Sequence, residues 1–218
     1  MSNASFDVYA AKASFFDNQV RADWAKNAYD PKEQGKINRL LNVTGPLNGL
    51  RILEPGCGTG RLTVILAERV GAKGSIVAMD ISSKMIAAAH KRLFGINNVT
   101  VCQGAVESKA VYFGTFDQII CHQVFPHFAD PANALQILAS LLNPCGLMVI
   151  SHFISLAQIN DVHRKAGTAV AKDMMPEADQ MRTLCLKCKL AIETWLDDES
   201  GYLLSARKKA EPKTLPMI

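Results

Sequence analysis

The sequence predicts a doubly wound α/β fold built on a mostly parallel sheet. Three observations carry this. From residue 51 onward, short apolar runs rich in β-branched residues alternate with helix-length amphipathic segments. A glycine-rich turn joins the first apolar run to the first helix, and an acid closes the second run. Short apolar strands of this kind are expected where helices cover both faces of a parallel sheet.

The elements follow in order. Residues 51–54 read as strand one and 61–70 as a helix; 75–80 read as strand two and 83–93 as a helix. Residues 99–103 are strand three, 116–121 strand four, 131–142 a helix and 147–151 strand five. The C-terminal third changes character. Residues 156–172 and 176–187 read as helices, then 191–195 and 202–206 as two strands joined by the turn-rich Asp197-Asp198-Glu199-Ser200-Gly201. Ahead of strand one, residues 5–47 are polar and helix-prone, carry Phe6, Tyr9, Phe15, Phe16, Trp24 and Tyr29, and are punctuated by Pro31, Gly35 and Gly45-Pro46. This aromatic segment is expected to be a helical lid over a site; simple packing on the sheet is the alternative.

The first turn reads Glu54-Pro55-Gly56-Cys57-Gly58-Thr59-Gly60-Arg61. Glycines there let a ligand lie against bare backbone, and the following helix N-terminus offers free amide groups. A dinucleotide loop would place a third glycine at 61, where this chain has Arg61, which disfavours a nicotinamide-dependent oxidoreductase. Asp80 lies 20 residues after Gly60, at the carboxyl end of strand two. A carboxylate there can accept both hydroxyl hydrogens of a ribose. Capping the next helix is the structural alternative, a role that Ser82 or Ser83 could fill instead.

Composition narrows the classes. At 218 residues the chain holds one α/β domain with a sizeable core. A net charge of +4 with scattered lysines and arginines lacks the basic stripe of a nucleic-acid binder, and the Arg207-Lys208-Lys209 cluster reads as a solvated terminus. No apolar run is long enough to span a bilayer and no segment resembles a signal peptide. Ser2-Asn3-Ala4 reads as an expression remnant. The six cysteines lack a disulfide framework, which points to reduced thiols and the cytoplasm, and Cys185-x-x-Cys188 stands alone inside a helix.

Four features occur in a fixed order over about residues 48–153: Glu-x-Gly-x-Gly-x-Gly from Glu54 to Gly60, Asp80 closing strand two, Phe116-Asp117 opening strand four, and Pro144-Cys145-Gly146 before strand five. Together they resemble the class I S-adenosylmethionine-dependent methyltransferases. The resemblance implies a Rossmann-like seven-stranded sheet with an antiparallel C-terminal edge strand and a helical N-terminal cover. It implies a methyltransferase domain over 48–210, a cover over 1–47 belonging to the same domain, and a tail over 211–218. S-adenosylmethionine is the implied cofactor and S-adenosylhomocysteine the product. Glu54 is placed near the methionine end, either directly or by holding the glycine loop; Gly56 and Gly58 give backbone approach, and Cys57 and Gly60 are counted with them as cofactor-binding. Cys57 packs rather than attacks, since nothing adjacent would lower its pKa. Asp80 sits at the ribose, and Ile81 beside it and Cys121 at the end of strand four are further cofactor-binding residues. Many relatives carry an adenine-binding acid after the glycine of strand three, where this chain has Ala105. Adenine recognition therefore falls to backbone groups of Ala105 and Val106, or to Gln103 or Glu107.

The segment after strand four reads His122-Gln123-Val124-Phe125-Pro126-His127-Phe128. It lacks the Asn/Asp-Pro-Pro-aromatic motif of nucleobase and protein-amide methylation, and the acid of magnesium-dependent catechol-type enzymes. It resembles instead an uncharacterised subgroup with Val-Phe-Pro-His-Phe at this point. His127, His152 and His163 are expected to converge beside the transferred methyl as catalytic residues. Three roles stay open for them: capping or packing, a general base or substrate-orienting group, and metal ligation, with no metal the preferred expectation. The expected function is methyl transfer to a small molecule whose identity is not readable; a non-catalytic S-adenosylmethionine-binding partner protein is the alternative. Neither nucleic acid nor membrane is expected as a partner.

Overall fold

The computed structural model describes residues 4–210; the 211–218 tail and Ser2-Asn3 lie outside the described residues. Helices α1 (Ala4–Gln19), α2 (Asp23–Lys26) and α3 (Pro31–Thr44) precede the sheet. The start of α3 is encoded locally. Asp30 accepts from the Glu33 backbone N–H at 2.8 Å, Glu33 accepts from the Asp30 N–H at 3.1 Å, and Pro31 pre-sets the first helical turn.

The alternating core then runs β1 (Arg51–Pro55), α4 (Arg61–Val70), β2 (Ser75–Asp80), α5 (Ser83–Arg92), β3 (Val99–Gln103), the short α6 (Val106–Lys109), β4 (Phe116–His122), α7 (Pro131–Leu141) and β5 (Leu142–His152). Two helices, α8 (Leu156–Lys165) and α9 (Ala178–Lys187), lead to β6 (Leu190–Asp198) and β7 (Gly201–Lys208). The seven strands lie in the order β3-β2-β1-β4-β5-β7-β6. The first five are parallel, and β7 runs antiparallel to both β5 and β6. The antiparallel C-terminal strand therefore inserts next to β5 and leaves β6 at the edge.

Alternate residues of each central strand feed two separate cores. Ile52, Ile76, Ala78 and Ile120 face α3, α4 and α5. Leu53, Val77, Met79 and Ile119 face α7, α8 and α9. Both faces are thus covered, which is why the strands are nearly all apolar. The order reverses between β1 and β4, so their carboxyl ends open a crevice.

Three local expectations are corrected. Helix α8 ends at Lys165 rather than 172, because Ala166 turns extended at ψ 168 and Gly167 follows. Strand β5 begins at Leu142, five residues early: Cys145 takes φ +63, the conformation a glycine would hold, and the chain bulges without leaving the sheet. The basic cluster is no loose terminus. Arg207 lies in β7 and pairs with Glu193 at 2.5 Å, and Lys208 donates to the Leu142 carbonyl at 2.6 Å. The Phe-Asp feature also acquires a cause. Phe116 is fully buried, and Asp117 accepts from the Arg51 N–H and from Asn143, each at 2.8 Å, tying β1, β4 and the entry to β5 together.

Candidate active site

A deep cavity opens at the carboxyl ends of β1, β2, β3 and β4, roofed by α1, α2 and the start of α3. Its floor is the glycine turn. Gly56, Gly58 and Gly60 all have positive φ, at +69, +54 and +80. A Cβ at Gly56 would overlap the Val124 side chain, whereas a Cβ at Gly58 would meet nothing within 4 Å. Gly56 thus closes the turn against the post-β4 segment, and Gly58 leaves bare backbone facing open space. Gly60 does not line the cavity; it sits left-handed at the N-cap of α4.

Asp80 braces this turn. One carboxylate oxygen accepts from the Gly58 N–H at 2.9 Å, and the other from the Ser82 N–H at 2.8 Å. The helix-cap role belongs to Ser82, whose hydroxyl accepts from the Met85 N–H at 3.1 Å. Asp80 therefore faces the cavity without being used as the helix cap. Burial raises its carboxyl above the usual range, and the backbone donors of Ser82, Gly58 and Ile81 oppose that rise.

Glu54 is 2% exposed on the cavity wall, and its Oε2 has no hydrogen-bond partner. Burial pushes its carboxyl up to about 8, and the neighbouring Asp80 adds to the rise. Such a group is protonated at neutral pH until a donor or cation reaches it. Cys57 lines the same wall, and burial next to Glu54 and Asp80 pushes its thiol well up, so it is no nucleophile.

Ile81, Gly104, Ala105, Val106 and Glu107 form the next wall. Cys121 does not. It is fully buried in the core, burial raises its thiol further, and the cavity wall at the end of β4 is His122. The alternation of a strand explains this: Cys121 and His122 face opposite sides of the sheet.

The roof is fastened by polar clasps. Arg92 donates to the Thr59 hydroxyl at 2.6 Å and to the Lys26 carbonyl at 2.6 Å, and Thr59 bonds the Ala25 carbonyl. Arg61, at the position that excluded a dinucleotide turn, pairs with Glu33 at 2.7 Å and lies 3.9 Å from the Tyr29 ring centroid. Asp17 of α1 accepts from the Ser82 hydroxyl at 2.5 Å and the Lys84 N–H at 3.0 Å, reinforcing the N-terminus of α5. Tyr9 donates to Glu107 and accepts from the Ala129 N–H at 2.9 Å.

The histidines divide. His127 lines the cavity, with its ring edge-on to Phe16 at 5.0 Å. Its Nδ1 lies 2.9 Å from Asp173, and the other Asp173 oxygen lies 2.7 Å from the Lys12 ammonium. His163 is not on the cavity wall; its ring sits 4.8 Å from that of His127, and burial depresses its pKa. His152 is likewise off the wall, buried, with Nε2 unpartnered and its pKa well below the usual range. His122 occupies the wall instead. Its Nδ1 lies 2.8 Å from the Ser151 hydroxyl, its Nε2 is unpartnered, and burial pushes its pKa down to about 3. The expected convergence of His127, His152 and His163 on one point is thus replaced by His127 and His122 on the wall with the other two behind. Among the described residues no three His, Cys, Asp or Glu side chains are arranged to hold a metal ion.

Sequence reading missed Asp173 and Lys12. The helix expected to run on through 166–172 ends at Lys165, which misdirects the segment leading to Asp173, and Lys12 is one of many lysines in the chain.

A family profile described as a methyltransferase domain matches residues 46–207, which take in all seven strands but the last residue of β7. A ubiquinone biosynthesis O-methyltransferase from Histophilus somni is 29% identical over 62% of the chain and 60% of its own length. The chain spans 60 to 65% of the length of the first curated relatives it matches. Among solved structures, the N-methyltransferase NodS from Bradyrhizobium japonicum superposes with a TM-score of 0.70 at 16% identity, over 91% of this chain and 98% of that one. The magnesium protoporphyrin IX methyltransferase from Synechocystis gives 0.68 at 21%, over 94% and 100%. The glycine turn, the braced acid of β2 and the strand order agree with the profile match: this chain belongs to the methyltransferase-domain family.

Proposed function

We propose that the protein transfers a methyl group from S-adenosylmethionine to a hydroxyl of a small molecule. The observation that carries this is one cavity holding both halves of the task. A glycine turn braced by Asp80 lies at one end, and an Asp173-supported His127 lies at the other. Glu54 and Gly58 support the cofactor assignment from this chain alone: a buried carboxyl oxygen lacks a partner, and a stretch of bare backbone faces open space. Glu54 is read as meeting the methionine end, Asp80 with Ile81 the ribose, and Gly104 to Val106 the adenine.

When bound, the cofactor supplies an activated methyl on a sulfonium, so the protein's task is alignment, water exclusion and proton removal. The α1–α3 roof excludes water. His127 takes the proton: with Nδ1–H directed at Asp173, the neutral ring presents its lone pair at Nε2. His122, held neutral by burial, shapes the cavity wall beside it. A carboxylate-supported base is needed where a hydroxyl must lose a proton, which favours catalysis over cofactor binding alone. The name of the Histophilus relative fits an oxygen acceptor. Residues 1–47 are read as a cover of the 48–210 domain, and the six free thiols fit the cytoplasm. No described helix is long and apolar enough to cross a membrane.

The test uses radiolabelled S-adenosylmethionine with a panel of hydroxylated small aromatic and aliphatic acceptors. Label transfer lost in His127→Gln, with S-adenosylhomocysteine affinity retained, is the expected result. Binding without transfer to any oxygen acceptor, or transfer unaffected by His127→Gln, contradicts the proposal.

A further inference from the structure

We infer that Lys12, delivered by α1, is a positioning residue that keeps His127 a neutral base, so that the roof completes the catalytic dyad as well as covering it. This rests on the reading of His127 as the base.

The geometry is a closed ring of three groups from three segments. The Lys12 ammonium lies 2.7 Å from one Asp173 oxygen and donates to the His127 carbonyl at 2.8 Å, while the second Asp173 oxygen lies 2.9 Å from His127 Nδ1. Lys12 is 5% exposed and Asp173 6%. A lysine buried to that degree is rare unless paired. Asp173 is held from the body of the protein rather than by α1. The backbone at Met175 is bonded in both directions to the buried Asn160, at 2.8 and 3.2 Å, and the Asp173 N–H donates to the Val170 carbonyl at 2.9 Å. The carboxylate is therefore preset beside His127, and α1 alone brings its compensating charge.

The consequence is electrostatic. A carboxylate next to an imidazole stabilises the protonated ring, which cannot accept a proton. An ammonium on the far side of that carboxylate offsets the effect, while Nδ1–H still has its acceptor and the tautomer is kept. The other charged or titratable groups around His127 are His163 on α8, His152 at the end of β5, Asp80 at the end of β2, and Tyr9 of α1 with its partner Glu107 on α6. All but Tyr9 belong to the body of the domain, and burial pushes the Tyr9 phenol up, so among these groups Lys12 alone brings a charge with the roof.

The experiment follows the ring nitrogens of His127 by NMR in protein labelled with nitrogen-15 histidine, assigned with His127→Gln, and needs no acceptor. In the unsubstituted protein the neutral ring carries its proton on Nδ1. Lys12→Met, which removes charge with little change in shape, raises the pH at which the ring titrates by about one unit. Lys12→Arg leaves it near its original position. Should Lys12→Met fail to fold, Asp173→Asn is compared with the paired Lys12→Met/Asp173→Asn variant: removing the remaining ammonium must raise the midpoint of His127, and equal midpoints overturn the inference. An unchanged midpoint in folded Lys12→Met, or an Nε2–H ring in the unsubstituted protein, overturns the inference. S-adenosylhomocysteine binding, measured separately, decides the methyl-transfer reading: intact binding with an unmoved midpoint sinks the role of Lys12 alone.

Discussion

Replacing Glu54 with glutamine should make the ligand-free protein more stable at neutral and alkaline pH, and should flatten its pH dependence. Glu54 is buried, one oxygen lacks a partner, and its carboxyl sits at about 8 against 4.5 for an ordinary glutamate. The folded state thus holds a proton that the unfolded state has released. Stability from this group is fully present below pH 4.5 and is lost as pH rises towards 8, at up to about 1.4 kcal/mol per pH unit. Between pH 6 and pH 8 the loss integrates to about 2 kcal/mol. The assay is urea unfolding of the ligand-free protein at both pH values, beside Glu54→Gln, which keeps the shape and cannot ionise. The difference between the two pH values should shrink by about 2 kcal/mol in the variant. An equal pH dependence in both proteins would show that Glu54 is already ionised in the folded state, and would refute the reasoning.

Three further outcomes follow from the same site. Gly56→Ala places a Cβ in the Val124 side chain at a φ of +69, so it should cost about 2 kcal/mol or more in unfolding and weaken S-adenosylhomocysteine binding; a variant of ordinary stability and affinity would contradict the close approach. Asp80→Asn keeps one acceptor but loses the charge-assisted bonds to Gly58 and Ser82, and should lower that affinity about tenfold or more by calorimetry, an unchanged constant being the refuting result. His152→Leu removes a buried imidazole whose Nε2 has no partner, so thermal unfolding should show stability unchanged or raised; a loss of several kcal/mol would reveal a partner for that nitrogen.

The glycine turn and Asp80 were legible because their constraints are local. A left-handed turn followed by a helix demands glycine, and an acid closing β2 has few places to go. The capping boxes at Asp30 and Ser155 are equally local but went unread. Cys121 was misplaced by one residue: strand alternation decides which of Cys121 and His122 meets the cavity, and both suit a strand end. The basic dyad was the harder case. His127 and Asp173 are 46 residues apart, and Asp173 is placed by the bonds of Asn160 to Met175, a tertiary arrangement with no periodic signature. His152 and His163 shared the residue type of His127 but not its exposure to the cavity. Cys145 at φ +63 shows a further limit, since cysteine there hides a conformation that glycine would have announced.

The most direct test of the central claim is calorimetric titration of the purified protein with S-adenosylhomocysteine, beside NADH and beside Asp80→Ala. Saturable binding at one molecule per chain, lost or greatly weakened in Asp80→Ala and absent with NADH, is the predicted result. No binding of S-adenosylhomocysteine, or equal binding by Asp80→Ala, would contradict the assignment of this cavity.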